Sequence, residues 1–242
     1  MTTVVISQPM LFPWPGFFEQ LALADVYIYL DDAQFSKGSY TNRIQVKLHD
    51  ARKWMTIPLE GKGAFQTISA LAAAGEQWKQ SHKALLSQSL AGAKYTRDAL
   101  ALLAQAYSAG SLCEMLISSI ELPARYLGLG QGRRVEWSSR MNVAGRSSQR
   151  VLDLVIAAGG TRYLTGHGAA GYLDHEAFEQ AGVEVAYMDY SRTPYPQGEG
   201  AFTPYVTILD VIGRCGPGGG AYLSPQITPW RAFLAKRGVQ SR

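Results

Sequence analysis

Cysteine is scarce in this chain, and the two that occur exclude two classes of protein. Cys113 and Cys215 are the only cysteines among 242 residues. Two distant cysteines can form neither the framework of a small disulfide-stabilised domain nor the ligand pairs of a zinc site. Cys113 falls in an apolar stretch of helical period, and Cys215 precedes a glycine run. We therefore expect two free thiols, and nothing else in the sequence supports Cys215 as a nucleophile.

Long apolar segments and a charged leader are absent as well. No segment reaches the roughly 18 uninterrupted apolar residues of a membrane-spanning helix. The first residues, Met1 to Thr3, carry no basic side chain and lead directly into a strand-like run, which is unlike a signal peptide. We expect a protein without a membrane span, located in the cytoplasm.

Blocks of like charge and metal-ligand spacings are also missing. The net charge is +4, and the 23 lysines and arginines are scattered along the chain, so DNA is not an expected partner. A small anionic ligand would account for several of these cations. The four histidines are scattered too, so no metal is expected. The chain has no P-loop and no nucleophile elbow.

The composition is that of a folded domain, with 47% hydrophobic and 17% charged residues. The opening segment VVISQPMLFPWPGFFEQ predicts a buried strand at Val4–Ser7, a turn stiffened by proline and a helix over Gly16–Ala24. A second strand is predicted at Val26–Asp32. Because the connecting helix is short, the two strands should be parallel, and a ligand is expected at their carboxyl ends.

The rest of the chain continues this α/β pattern. A β-hairpin is predicted near 42–59, helical period without strand signal covers about 77–127, and helices alternate with strands from 133 to 190. We expect a single α/β domain over 1–242, with a mostly parallel sheet, flanking helices and a helical insertion. The helix beginning near 147 should be capped by Ser147 or Ser148 and should end at Gly159.

A polar cluster follows the second predicted strand. The cluster combines carboxylates, amides and cations. Its residues are Asp31, Asp32, Gln34, Lys37, Asn42, Arg43 and Lys47. Arg43 and Lys47 are predicted to bind a phosphate or carboxylate, the arginine through a bidentate fork. Asp31 is predicted to act as a base or to orient one. The alternative is a hairpin with one solvated polar face.

The segment YLTGHGAAGYLD places glycines between a predicted strand and a helix. Backbone at Gly166 can approach a ligand closely, and His167 can donate to a phosphate or act as a base. A tight strand-to-helix turn with an exposed histidine would have the same sequence. Both interpretations stay open.

Two further places carry candidate groups. His82 lies four residues after Trp78 on one helix face, which is more often a structural position than a catalytic one. The proline-stiffened loop DYSRTPYPQ offers Tyr190, Tyr195 and Gln197 to a sugar or another ring-bearing ligand. The same residues could instead pack the loop on itself.

Four segments resemble the WbqC-like protein family. They are ISQPMLFPWPGFFEQLALADVYIYLDDAQFSKGSYTNRIQVK, KWMTIPL, RYLTGHGAAGYLD and YPQGEGAFTPYVTILDVIGRCGPGG. The resemblance spans Val4 to about Gly219 in the order of the family. Its opening pattern, Q-P-x-x-F-P-W-x-G-F-F, is specific at that length.

The resemblance implies a bacterial transferase of O-antigen, surface-glycan or specialised-metabolite biosynthesis. The implied reaction attaches an acyl or aminoacyl group to the amine of a nucleotide-linked amino sugar. No cofactor is certain; the implied co-substrate is a nucleotide-linked or otherwise activated acyl or aminoacyl donor. The positions that match the family are Gln8, Pro9, Trp14, Gly16, Asp31, Gln34, Lys37, Asn42, Arg43, Lys47, Gly166, Tyr172, Tyr195 and Gln197.

The chain departs from the family pattern at two places. It has Thr193 before Pro194 where the family is expected to have a histidine, which puts any role of that histidine in doubt. The glycine-rich run TGHGAAG also differs from the small-residue run expected there. The oligomeric state is left open.

A weaker resemblance connects the start of the chain to nucleotidyltransferases such as pantothenate synthetase. Those enzymes hold ATP phosphates with a His-x-Gly-His type signature at the loop–helix junction. Aligned on Gly16, this chain has Trp14 and Phe17 in place of the histidines. A nucleotidyl or adenylyl transferase and a non-catalytic nucleotide-sugar-binding module are therefore the alternative functions.

Overall fold

A computed structural model of the chain describes residues 1–61 and 64–240. Six strands form one sheet in the order β5-β2-β1-β6-β7-β8. They are β1 Thr3–Ser7, β2 Val26–Tyr29, β5 Arg134–Trp137, β6 Arg162–Thr165, β7 Glu184–Asp189 and β8 Gln226–Pro229. The first five are parallel, and β8 pairs antiparallel with β7. A separate hairpin joins β3 Arg43–Leu48 to β4 Ala51–Thr56. The mostly parallel α/β architecture and the hairpin are confirmed.

The described part of the chain contains eight α-helices, which pack on the sheet, on the hairpin or on one another. They are α1 Pro15–Ala22, α2 Gln77–Ser89, α3 Thr96–Ala106, α4 Leu112–Tyr126, α5 Ser147–Ala157, α6 His175–Gln180, α7 Ile208–Cys215 and α8 Trp230–Gln240. Helices α2 to α4 occupy the segment predicted to be helical. None of the helices in these residues is long and apolar enough to cross a membrane.

The two faces of the sheet bury two separate cores, because successive side chains of a strand point to opposite faces. On β1, Val5 packs into a cluster with residues of α1, α3, α4 and α7, and the hairpin contributes Ile44 and Val46 to it. Val4 and Ile6 pack on the other face, with residues of α5, α6 and α8.

The proline-rich turn after β1 is anchored from several directions. Pro15 is the first residue of α1, where its fixed φ suits the helix and its missing N–H costs nothing. Phe12 has a positive φ of 37°. Its N–H donates to Ser119 Oγ at 2.9 Å, and its carbonyl accepts from Thr207 Oγ1 at 3.0 Å. These buried bonds to α4 and to the start of α7 hold Trp14 in a defined place.

One expectation about the helix ends is wrong. Ser147 begins α5 with a φ of 54°, and neither Ser147 nor Ser148 caps the helix. The Ser148 hydroxyl instead accepts from the Asp174 N–H at 2.8 Å, joining α5 to the start of α6. The Ser148 hydroxyl thus bonds a residue distant in sequence instead of capping its own helix. The end of α5 is as expected, since Gly159 follows its last turn with a φ of 73°.

Candidate active site at the carboxyl edge of the sheet

The strand order creates a topological switch point between β1 and β6. From β1 the chain crosses to β2 on one side, whereas β6 continues to β7 on the other. In open α/β sheets, ligands bind in the crevice outside the carboxyl ends of strands at such a point. A cavity of about 430 Å³ lies here, within the range of small-molecule sites. We refer to it as the switch-point cavity.

The polar wall of this cavity comes from the two central strand ends. Ser7 and Gln8 end β1, and Thr165, Gly166 and His167 end β6. The aromatic wall is contributed by Trp14, Phe17, Tyr40, Tyr163, Tyr172 and Tyr190. The structure thus brings together five predicted site residues from three distant segments, namely Gln8, Trp14, Gly166, His167 and Tyr190.

Trp14 forms the centre of the aromatic wall. Its ring lies 4.9 Å from the ring of Tyr190 and 5.5 Å from that of Tyr205, measured between centroids. The indole also covers Gly16 so closely that a Cβ at that position would lie 2.1 Å from a ring carbon. Gly16 therefore serves the site indirectly, by letting Trp14 fold back over the start of α1.

His167 is the titratable group best placed in the cavity wall. Its Nε2 lies 2.7 Å from the carbonyl oxygen of Met188. Because a carbonyl only accepts, Nε2 carries the proton, and Nδ1 of the neutral ring is left with a lone pair. No group among residues 1–61 and 64–240 hydrogen-bonds to Nδ1. The ring is held between Tyr190 and Phe233, at centroid distances of 5.2 and 4.9 Å.

The Tyr190 hydroxyl lies close to the backbone of Gly166. A Cβ at Gly166 would lie 2.9 Å from the Tyr190 hydroxyl, so glycine is what permits this approach. Burial raises the pKa of Tyr190 to about 12, and the Glu19 carboxylate adds to the rise. The hydroxyl stays protonated at neutral pH and can donate a hydrogen bond.

Asp31 lies at the end of β2 but is bonded to the segment after β5. Its Oδ1 accepts from the Ser139 N–H at 3.0 Å and its Oδ2 from the Ser139 hydroxyl at 2.7 Å. Burial by itself would raise the pKa of Asp32, but hydrogen bonds from Arg150 and Ser138 outweigh it and lower that pKa. Both carboxylates tie strand ends together. A part for Asp31 in proton transfer stays a prediction.

The other predicted cations and amides lie at the base of the hairpin. Asn42 donates to the Ile57 carbonyl at 2.8 Å. Arg43 donates to the Gly38 carbonyl, and its guanidinium stacks 4.4 Å from the Trp54 ring. Lys37 and Gln34 are exposed in the preceding loop, where Gln34 bridges to Thr67. Their predicted role in ligand binding is untested.

Lys47 and Gln197 line a different cavity of about 330 Å³, which we call the hairpin cavity. The Tyr195 hydroxyl donates to Asp210 at 2.7 Å and accepts from Gln197 at 2.9 Å. Burial raises the pKa of Asp210 even though Arg214 pairs with it. The predicted substrate-binding residues therefore do not share one cavity, and Tyr195 lines neither of the two.

His82 is buried between α2 and the hairpin. Its Nε2 lies 3.1 Å from the Thr56 carbonyl and its Nδ1 lies 2.7 Å from the Tyr107 hydroxyl. The Thr56 carbonyl can only accept, so Nε2 is protonated and Nδ1 accepts from the Tyr107 hydroxyl. Burial lowers the pKa of His82 to about 4. The ring is neutral and fully bonded within the core.

Sequence reasoning missed several residues of the switch-point cavity. Tyr40 comes from a loop with no periodic pattern. The pattern around Tyr163 and Thr165 predicts a strand but not a place in the site. Glu19 in α1, outside the lining of this cavity, was missed as a buried residue: it is 2% exposed, yet a glutamate in an amphipathic helix normally indicates a solvated position. Its Oε1 accepts from the Ser191 hydroxyl at 2.7 Å. Across 1–61 and 64–240, no three His, Cys, Asp or Glu side chains converge to hold a metal.

Comparison with known proteins places the chain in a family. The sequence profile of the WbqC-like protein family matches residues 8–222. A protein of Mycobacterium tuberculosis, described as "Uncharacterized protein Rv1507c", is 29% identical over 231 residues, covering 92% of this chain and 98% of that protein. No solved structure matches the chain. Since the profile covers most of the sequence, the chain belongs to the WbqC-like protein family.

Proposed function

We propose that the protein is a transferase that attaches an acyl or aminoacyl group to the amine of a nucleotide-linked amino sugar. Such a reaction belongs to O-antigen, other surface-glycan or specialised-metabolite biosynthesis. The switch-point cavity is the proposed active site. The observation that carries the proposal is His167, which lines this cavity, donates through Nε2 to the Met188 carbonyl and has no hydrogen-bond partner for Nδ1 in the described part of the chain.

The proposed reaction needs a base, because an amine that attacks a carbonyl must lose a proton. The amine nitrogen forms the new N–C bond to the carbonyl carbon of the activated donor. The bond from that carbon to its leaving group breaks, and the leaving group departs with the bonding electrons. Nδ1 of His167 accepts the amine proton, and the imidazolium then passes that proton to the leaving group.

The other walls of the cavity suit an amino sugar. The faces of Trp14 and Tyr190 provide apolar area against which a sugar ring or a base can stack. Gln8 and Ser7 offer donors and acceptors for hydroxyl groups. The protonated Tyr190 hydroxyl, beside Gly166, can donate to the carbonyl oxygen on which negative charge develops.

Mass spectrometry tests this proposal directly. Purified protein is incubated with nucleotide-linked sugars bearing a free amine, each paired with activated acyl or aminoacyl donors. We expect one pair to give a product whose mass has grown by the acyl group. Substitution of His167→Gln should lower the rate by about 10²–10⁴ while sugar binding, followed by calorimetry, is kept.

A matched control separates loss of the base from a general effect of replacing a histidine by glutamine. His49 is 83% exposed at the tip of the hairpin, so His49→Gln should leave the rate unchanged. Product formation in no pair, or an unchanged rate in the His167 variant, would count against the proposed reaction. Binding of the sugar without turnover would favour the non-catalytic module.

A further inference from the structure

Lys47 is a buried cation that forms no ion pair within the described part of the chain. Its side chain is 4% exposed, and its Nζ donates one long hydrogen bond, to the Gly200 carbonyl at 3.5 Å. No carboxylate oxygen of residues 1–61 and 64–240 lies within the 4.0 Å of an ion pair. A buried ammonium without a counter-charge destabilises the fold. Its position therefore needs a reason other than packing.

Neither Asp210 nor Glu199 forms an ion pair with Lys47. Asp210 is 1% exposed and is occupied by Arg214, whose Nε lies 3.1 Å from its Oδ1. Glu199 is at the rim, with a side chain 90% exposed and 3.7 Å from His49. The hairpin cavity is lined by two cations, Lys47 and Arg214, and by the Glu199 carboxylate at its exposed rim, so its interior retains a positive charge.

Arg214 presents a further donor to the same cavity. Its Nε is used by Asp210 and its Nη2 by the Ser89 carbonyl at 3.1 Å. Nη1 makes no hydrogen bond with the described part of the chain and lies against Gly198, where a Cβ would be 2.6 Å away. Gly198 has a φ of 80° and leaves this edge of the guanidinium uncovered by a side chain. The hydroxyl-bearing Ser89 also lines the cavity.

We propose that the hairpin cavity binds the phosphate group of a phosphorylated small molecule. The Lys47 ammonium supplies the charge and the Arg214 Nη1 edge supplies an oriented donor, a combination that suits a tetrahedral oxyanion. The volume of about 330 Å³ exceeds what one phosphate fills, so the rest of the molecule is accommodated as well. The linings of the hairpin cavity and the switch-point cavity share no residue, so the two cavities are separate.

Thermal unfolding in the presence of inorganic phosphate tests the site. A ligand that binds only the folded protein raises the melting temperature by mass action. The full chain is unfolded with increasing phosphate, with pyrophosphate, and with acetate or sodium chloride at the same ionic strength. Wild-type protein should gain melting temperature from phosphate and pyrophosphate beyond the two control salts.

Lys47→Met is the decisive variant. It should melt at a higher temperature than wild type without phosphate, because an uncompensated buried charge has been removed, and it should lose the phosphate response. Lys53→Met removes the same charge from an exposed position on β4 and should keep the wild-type response. If Lys47→Met does not fold, Lys47→Gln takes its place and should also lose the response.

Three outcomes would overturn the proposal. One is a phosphate response in the Lys47 variant equal to that of wild type. Another is a wild-type response to phosphate no larger than that to sodium chloride. The third is an equal response to acetate that also depends on Lys47, which would assign the cavity to carboxylates. None of these results bears on transferase turnover, which is measured separately.

Discussion

At the residue scale, two histidines with similar surroundings differ in what they can do. His82 and His167 each place Nε2 against a backbone carbonyl, which fixes the tautomer. In His82 the remaining nitrogen accepts a hydrogen bond from Tyr107, whereas in His167 it has no partner in the described residues and the residue lines the switch-point cavity. Sequence pattern gave both as candidates, because the partner of the second nitrogen comes from a distant segment.

The burial of His82 should make stability depend on pH. Its pKa is about 4 when folded and 6.5 in the unfolded chain. As pH falls, His82 is therefore protonated in the unfolded chain before it is protonated in the folded protein. The stability that neutral His82 contributes is complete above pH 6.5 and declines as pH falls toward 4. The loss reaches about 3 kcal/mol and then levels off, because both states are protonated.

Chemical unfolding of wild type and His82→Gln between pH 8 and pH 4 measures this effect. Glutamine does not titrate, so the wild-type advantage in unfolding free energy should be constant above pH 6.5 and shrink below it. A gap that stays constant down to pH 4 would show that His82 is not the titrating group.

Asp31 is the residue for which structural and catalytic roles predict different results. Removing its carboxylate in Asp31→Ala leaves the Ser139 N–H and hydroxyl without acceptors, which should cost about 3 kcal/mol of unfolding free energy. The exposed Asp189→Ala should change it by less than about 0.5 kcal/mol. Full stability in the Asp31→Asn variant together with lost turnover would instead support the predicted base.

At the element scale, the turn between β1 and α1 depends on a close contact between neighbours. A Cβ at Gly16 would overlap the Trp14 ring, so Gly16→Ala should either displace the indole or lower stability by about 1–3 kcal/mol. Tryptophan fluorescence and urea unfolding report the two effects. Gly171→Ala, where the added Cβ meets nothing within 4 Å, should alter neither.

Elements with their own periodicity were predictable from sequence. The β1–α1–β2 unit, the hairpin and the helical segment each carry a pattern that is local and strong. The strand β8 and the helix α8 were not anticipated, because QITPWRAF lacks both strand alternation and a clear helical stripe. Lys47 alternates with apolar residues as if solvated, yet the loop with Gly200 covers it.

At the scale of the whole molecule, the candidate site arises from strand order. Residues from the first turn and from the turn after β6 meet only because β1 and β6 are neighbours in the sheet. No local sequence pattern predicts that β1 and β6 pair. For the same reason the predicted substrate-binding residues do not all line one cavity: Lys47 and Gln197 line the hairpin cavity, and Arg43 lines neither cavity.

The central claim is that the switch-point cavity holds the sugar substrate. A crystal structure of the protein soaked with a nucleotide-linked sugar bearing a free amine tests it most directly. We predict density between the ends of β1 and β6, with a ring against Trp14 and Tyr190 and the amine within hydrogen-bond reach of His167 Nδ1. Density for the same compound elsewhere, with this cavity empty, would contradict the claim.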